Sequence, residues 1–223
     1  MQVTGVDGCR GGWLAAAVSA AGEVDWSWTA EVTEVLRGPA GAVAIDIPIG
    51  LPDAGTRACD REARAALGRR GVSVFPAPVR GVLGCTSYAE ARAVLAAAGV
   101  PSMSAQAFGI VRAVRQVDEA ITPSDESRVV EAHPELAFCL MGGGPGMPGK
   151  RTTEGASLRL RLLQTWLPSA PVVLKRAPSP ARLDDAMDAL ACAWVAGRWL
   201  TGEASVLGDG ARDRRGLVMR IAG

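Results

Sequence analysis

Four aspartates stand where solubility does not explain them. Asp7 ends the apolar run VTGV, Asp46 ends GAVAI, and Asp185 and Asp188 sit at the head of LDDAMDALACAW. An ionised carboxylate at the end of an apolar strand is costly unless it is paired, hydrogen-bonded or metal-bound. Two on neighbouring strand ends also repel, and Mg2+ or Mn2+ both removes the repulsion and suits oxygen donors. Each residue has a plainer use on its own. Asp7 can cap the turn DGCRGG, Asp46 can shape the turn before Pro48, and Asp184 or Asp185 suits the first turn of a helix. Asp188 is harder to dismiss, because it lies beyond the strongest part of the helix dipole, among Ala186, Met187, Ala189, Leu190 and Ala191. Asp185 and Asp188 are three apart and share one side. Taken together, Asp7, Asp46, Asp185 and Asp188 are expected to converge on a divalent ion. Two ions in such a site would activate a water and stabilise the leaving 3′ oxygen of a phosphodiester. Asp7 would bridge, Asp46 and Asp188 would each hold one side, and Asp185 would be a ligand or an outer partner. Glu131, on an expected fifth strand, is a further acidic catalytic candidate.

Residues able to meet a substrate are scattered more widely. His133 is the only histidine. It could move a proton near neutral pH, but the preferred reading makes it the cap of a helix opening at Pro134. Arg57 and Arg64 lie on one expected helix, and Asp60 and Arg64 could be no more than a surface ion pair. Together with Arg10 in the glycine turn, Arg80 in FPAPVR, and Gln106, they could line a crevice and contact phosphates. Lys150 heads a segment ending at Arg176 with six basic residues against Glu154 alone, the best local candidate for a phosphate contact. Cys9 has no histidine near it in sequence and is not read as a nucleophile. Alternating Trp26 and Trp28 suit sheet packing better than base stacking.

The elements that must position these groups follow from patterning. Residues 2–7, 13–18 and 23–30 read as a three-strand antiparallel meander broken at Gly-rich turns. Residues 31–37 read as a short helix, and GAVAI as a strand covered on both faces. From Leu51 to about Thr122 the chain reads as a mainly helical insertion, with helices over Arg57–Leu67, Ser87–Ala98 and Ser104–Ala120. Arg128–Ala132 is a last short strand. Helices follow from Pro134, over Thr153–Leu167 and over Leu183–Leu200; Val172–Leu174 reads as extended. The polar tail after Gly202 suggests one edge hairpin or nothing stable. This succession predicts a single α/β domain over 1–223, with a five-stranded mixed sheet in the order 3-2-1-4-5 between helices. The carboxyl ends of strands one and four then lie together, the usual ligand crevice of open α/β sheets.

Composition narrows the classes. The chain has 223 residues, 48% of them hydrophobic, and a net charge of +1. A core is easily built, and a basic coat for long duplex DNA is absent. Five cysteines without a CxxC pair argue against a disulfide framework and a zinc site. With no leader-like or membrane-spanning run, these thiols point to a cytoplasmic protein. A membrane partner is not expected, and the oligomeric state is open.

The segments GVDGCRGGW, AIDIPIGLP, RACDREARAALGRRGVSVFPAPVR, VEAHPELAF and DDAMDALACAW resemble the domain-of-unknown-function family numbered 429, from about Val3 to Trp199. The resemblance implies a ribonuclease H-like fold and a predicted nuclease activity. Asp185–Ala193 is also similar to the last acidic helix of the Holliday-junction resolvase RuvC, which implies a metal role for Asp185 and Asp188. The leading expectation is a Mg2+- or Mn2+-dependent nuclease or phosphodiesterase acting on nucleic acid or a nucleotide. The alternatives are a non-catalytic binding module that keeps the fold, and a nucleotide-binding phosphotransferase suggested by DGCRGG. A second DxGG-like element, which the last would need, is missing.

Overall fold

The computed structural model describes residues 1–223. Strands β1 (Gln2–Cys9), β2 (Gly12–Ser19) and β3 (Val24–Thr29) form the antiparallel meander. The β1–β2 turn passes through Gly11 at φ +79, a left-handed conformation that glycine adopts without steric cost. After helix α1 (Val32–Leu36), β4 (Ala42–Ile45) lies parallel to β1, with Val6 opposite Ile45, and β5 (Val129–Glu131) lies parallel to β4. The strand order is β3-β2-β1-β4-β5, the one expected from the sequence.

Strand alternation divides the sheet into two chemically different faces. Leu14, Ala16, Ala42, Ala44 and Val130 share a core with helix α9 (Leu183–Thr201), while Val6, Trp13, Ala15, Val43, Ile45 and Val129 share another with α1 and α5 (Val111–Ala120). The α9 face is built from small residues. On the helix Ala186, Ala189, Ala193 and Ala196 are all fully buried. Gly5 of β1 lies under them so closely that a Cβ there would fall 2.0 Å from the Ala189 oxygen and 2.1 Å from the Ala193 nitrogen. Backbone therefore rides on backbone, and any side chain at residue 5 would push α9 away.

Between β4 and β5 run α2 (Ala58–Leu67), two 3-10 turns over 68–73 and 80–84, α3 (Tyr88–Ala97), α4 (Ala105–Gly109) and α5. Ser87 and Ser104 cap α3 and α4, accepting from the N–H groups of Glu90 and Ala107. The single helix expected over Ser104–Ala120 is two, separated at Ile110. Gly109, the poorest helix former in the run, stands at the break. Helices α6 (Pro134–Met141) and α7 (Thr153–Trp166) then pack on the α9 side.

One expectation fails and an open one is decided. Val172–Leu174 is not extended: α8 (Ala170–Val173) passes straight into a 3-10 turn, with Pro171 in a first turn that tolerates it. The tail takes the hairpin alternative. Strands β6 (Val206–Leu207) and β7 (Ile221–Ala222) pair, Leu217 and Ile221 are buried, and Ala222 bridges to Ala132 beside β5. All five cysteines are free thiols. No helix is long and apolar enough to cross a membrane.

Candidate metal centre

Asp7 and Asp46 are the residues that follow the paired stretch of β1 and β4, and the Asp46 N–H donates to the Val6 carbonyl at 3.0 Å. Alternation puts Asp7 on the face of Gly5, and Asp46 on the face of Ala42 and Ala44. That is the α9 face. Because Ala189 sits on Gly5, the preceding turn of α9 carries Asp188 and Asp185 to the same strand ends. Two devices, strand register and a glycine contact, thus bring the backbone positions of the four aspartates to the same end of the sheet.

The electrostatics are those of a cluster short of positive charge. Burial raises the Asp7 carboxyl well above its ordinary range, and the charges of Asp46, Asp188 and Asp185 raise it further. Burial pushes Asp46 up to about 7 and Asp188 up to about 6, with Lys150 opposing the rise in both. Lys150, on the loop after α6, donates from Nζ to Asp188 Oδ2 at 2.8 Å, and is the cation acting on Asp7, Asp46 and Asp188 alike. Behind the cluster Cys192 is wholly buried and its thiol is held up by burial and by Asp46, Asp7 and Asp188, so it stays protonated.

All-oxygen donors with unrelieved repulsion suit a hard divalent cation, so the donor chemistry fits Mg2+ or Mn2+. The side chains do not stand in a ligating arrangement: no three carboxylate, thiol or imidazole groups are grouped to hold an ion. Asp188 is turned to Lys150. One oxygen of Asp185 accepts from the Arg182 N–H at 2.8 Å, as the far half of a capping box. Asp7, Asp46 and Asp188 are the residues that would hold the ion, and Asp185 is tied to its own helix end.

A family model described as "Protein of unknown function (DUF429)" matches residues 5–212. The chain belongs to the DUF429 family. Neither a curated protein nor a solved structure is similar enough to match it.

Other candidates in this DUF429 chain divide between the cleft beside Asp46 and the interior. The cleft, of about 610 Å³, is lined by Asp46, Asp188, His133, Lys150, Arg70 and Gln106 among others. Glu131 reaches its wall but is spent elsewhere. It has the parity of Val129, the face away from α9, and both its oxygens accept from Arg57 at 2.7 Å. It is therefore corrected from catalytic candidate to half of an ion pair. Arg57, 2% exposed, is gripped by Glu131 and Asp60 and cannot meet a phosphate. Arg80, 7% exposed, is held by Asp118 and Asp213 and is excluded for the same reason. Arg64 donates to the Val74 carbonyl at 2.9 Å and borders a different hollow. Arg10 is exposed at the tip of the β1–β2 turn, outside the cleft. His133 occupies the N-cap position of α6, yet its side chain makes no capping bond. Burial lowers its pKa, so the ring is neutral, and its Nδ1 has no partner.

Three features escaped the sequence reading. Glu135, in the first turn of α6, is buried and binds Arg159 at 2.6 Å and Arg70 at 2.9 Å. This removes Arg159 from the supposed phosphate-binding segment. Lys150, though partly exposed, is paired with Asp188. Gly5 sets the helix–strand distance, and its signal was the series of small residues Gly5, Ala42 and Ala44 facing the alanines of α9.

Proposed function

We propose that the protein is a divalent-metal-dependent phosphodiesterase, a nuclease of ribonuclease H-like type that holds Mg2+ or Mn2+ with Asp7, Asp46 and Asp188. The observation that supports this most is the crowding of three carboxylates, from the ends of β1 and β4 and from α9, around a single ammonium at the edge of an open cleft. The strand order agrees with what the family resemblance implies. When bound, the metal supplies charge neutralisation at the phosphoryl group and an acidified water. The chain's own groups do the rest. Asp7, Asp46 and Asp188 fix the cation's position. Lys150 and Arg151, both in the cleft wall, draw in the anionic ester. Neutral His133 lines the cleft, but its unpartnered Nδ1 is shut off from solvent, so it serves as part of the wall.

The Lys150–Asp188 pair supports a second reading, a binding module in which an internal ammonium replaces the ion. Thermal unfolding with Mn2+ and with chelator separates the two. The phosphodiesterase reading expects the midpoint to rise with Mn2+ in the native chain and not in Asp7→Asn, because a ligand at a hundred times its Kd stabilises by about 2.7 kcal/mol. It also expects Mn2+-stimulated cleavage of an oligonucleotide panel. No Mn2+ shift and no cleavage would leave the binding module.

A further inference from the structure

The hollows beside the acidic cluster say which form of nucleic acid fits, an inference that rests on the phosphodiesterase reading. Three hollows adjoin along one surface. The central cleft shares Asp46, Ile47 and Ile110 with a hollow of about 390 Å³, and shares Val72 and Phe75 with another of about 330 Å³. Asp46 therefore borders both the central cleft and the first side hollow.

The two side hollows differ in chemistry. The one beyond Phe75 is walled mainly by Pro76, Pro78, Leu95, Met103 and Ala107, with Arg64 at its edge and no carboxylate among its lining residues. Phe75 is 42% exposed and Val72 76% exposed, whereas Phe138 is fully buried in the core. An exposed ring on the shared wall of an apolar hollow is suited to the face of a planar ligand. The hollow on the far side of Asp46 is floored by the glycine turn of β1–β2 and carries exposed Arg112, which makes no ion pair, together with Gln116. Its carboxylates are Asp7 and Asp46 alone. The surface thus runs from an apolar and aromatic hollow edged by Arg64, through the acidic cleft, to a glycine-lined hollow that carries Arg112 beside Asp7 and Asp46.

We propose that the substrate is a single strand of nucleic acid: one base lies in the hollow against Phe75, the neighbouring phosphodiester lies at Asp46, and the next phosphate meets Arg112. In a duplex the base faces are stacked on one another and the edges are paired, so no base is free to enter an apolar side hollow. A chain of net charge +1 also lacks the broad cationic surface that a duplex backbone uses.

Binding can be read apart from cleavage. Fluorescence anisotropy in Ca2+ buffer would compare labelled oligothymidylate and oligouridylate of about a dozen nucleotides with a duplex of the same length. The single strands should bind at least about tenfold tighter than the duplex. Phe75→Ala should weaken single-strand binding by about tenfold, and Phe75→Trp should keep it. Arg112→Glu should weaken it too, and carries the test if Phe75→Ala does not fold. Equal or tighter duplex binding, no strand binding at all, or unchanged binding in both Phe75→Ala and Arg112→Glu would overturn the proposal. The Mn2+ shift of the thermal midpoint, followed in the same variants, reports on the parent reading. Strand binding that depends on Phe75 without any Mn2+ shift sinks the phosphodiesterase and keeps the strand site; the reverse result sinks the strand site alone.

Discussion

Two groups of buried carboxylates lie in this chain, and they differ in their donors. Around Arg57, Glu131 takes two guanidinium bonds at 2.7 Å and the Ile49 N–H, also at 2.7 Å, while Asp60 takes Arg57 Nε, Nη2 and the Ala77 N–H. Burial still pushes the Glu131 carboxyl up to about 7, although Arg57 and the Ile49 N–H oppose the rise. A second knot joins Arg80 to Asp118 and Asp213, and Asp213 also accepts from the N–H groups of Leu51, Arg215 and Leu217. Burial opposes it, yet those N–H bonds hold Asp213 below its ordinary pKa. The aspartates under α9 have one lysine among them, and three of the four have raised pKa values. Burial alone does not mark a functional acid. What marks it is burial without enough donors, because such a group is stabilised only by something that arrives from outside.

The difference can be broken at its strongest point first. Arg57→Met leaves Glu131 and Asp60 buried without their partner, and should cost about 3–5 kcal/mol in urea unfolding. A loss under about 1 kcal/mol would mean that this knot is no better satisfied than the cluster. On the other side, Asp7→Asn should lower Mn2+-dependent cleavage by about 10²–10³-fold, a typical cost of losing one preorganised charge-stabilising group. Without metal, the same change should leave unfolding unchanged or make it harder, since it removes repulsion.

Titration should separate Asp213 from the cluster by sign, whereas Glu131, held up at about 7, moves with the cluster. A carboxyl whose folded pKa is raised contributes stability at low pH that is lost as pH rises through that value. For Asp188 and Asp46 the loss falls as pH climbs through about 6 and about 7 respectively. Metal-free protein should thus gain about 2 kcal/mol between pH 8 and pH 5, and saturating Mn2+ should flatten the gain. Asp213 acts oppositely: its contribution is present above the unfolded carboxylate pKa and is lost as pH falls through its depressed folded value. A midpoint curve with no rise from pH 8 to pH 5 would contradict this account of the cluster. The smallest effect is expected at Lys150, whose side chain is 38% exposed. Lys150→Met should cost at most about 1 kcal/mol without metal, and Mn2+ should then bind more tightly in calorimetry.

The sheet was legible because its signals are local. Glycine turns separate the meander, and GAVAI is apolar on both faces. Asp7, Asp46 and Asp188 stood out because a charge in an apolar run is conspicuous at any resolution of pattern. Glu131 stood out for the same reason and was misassigned, because which side of β5 faces α9 depends on pairing with β4, several elements away. Arg57 and Arg80 stay open to a phosphate in the sequence, since nothing local names Glu131, Asp118 or Asp213 as their partners; those contacts are 74, 38 and 133 residues away in sequence. The tail looked weak because its anchor, Asp213, is polar and its apolar residues are few. Gly109, which divides the helix before Val111, was present in the sequence and deserved more weight.

The glycine beneath α9 carries a mechanical consequence. Most helix–sheet spacings are cushioned by side chains that can change rotamer and absorb a displacement. Here the gap between β1 and α9 is closed by main chain, so nothing compressible lies between the strand that bears Asp7 and the helix that bears Asp188. Their separation acts as a fixed gauge: adjustment to an incoming ligand has to come from rotation of the aspartate side chains and from the Lys150 loop, while the frame holds still.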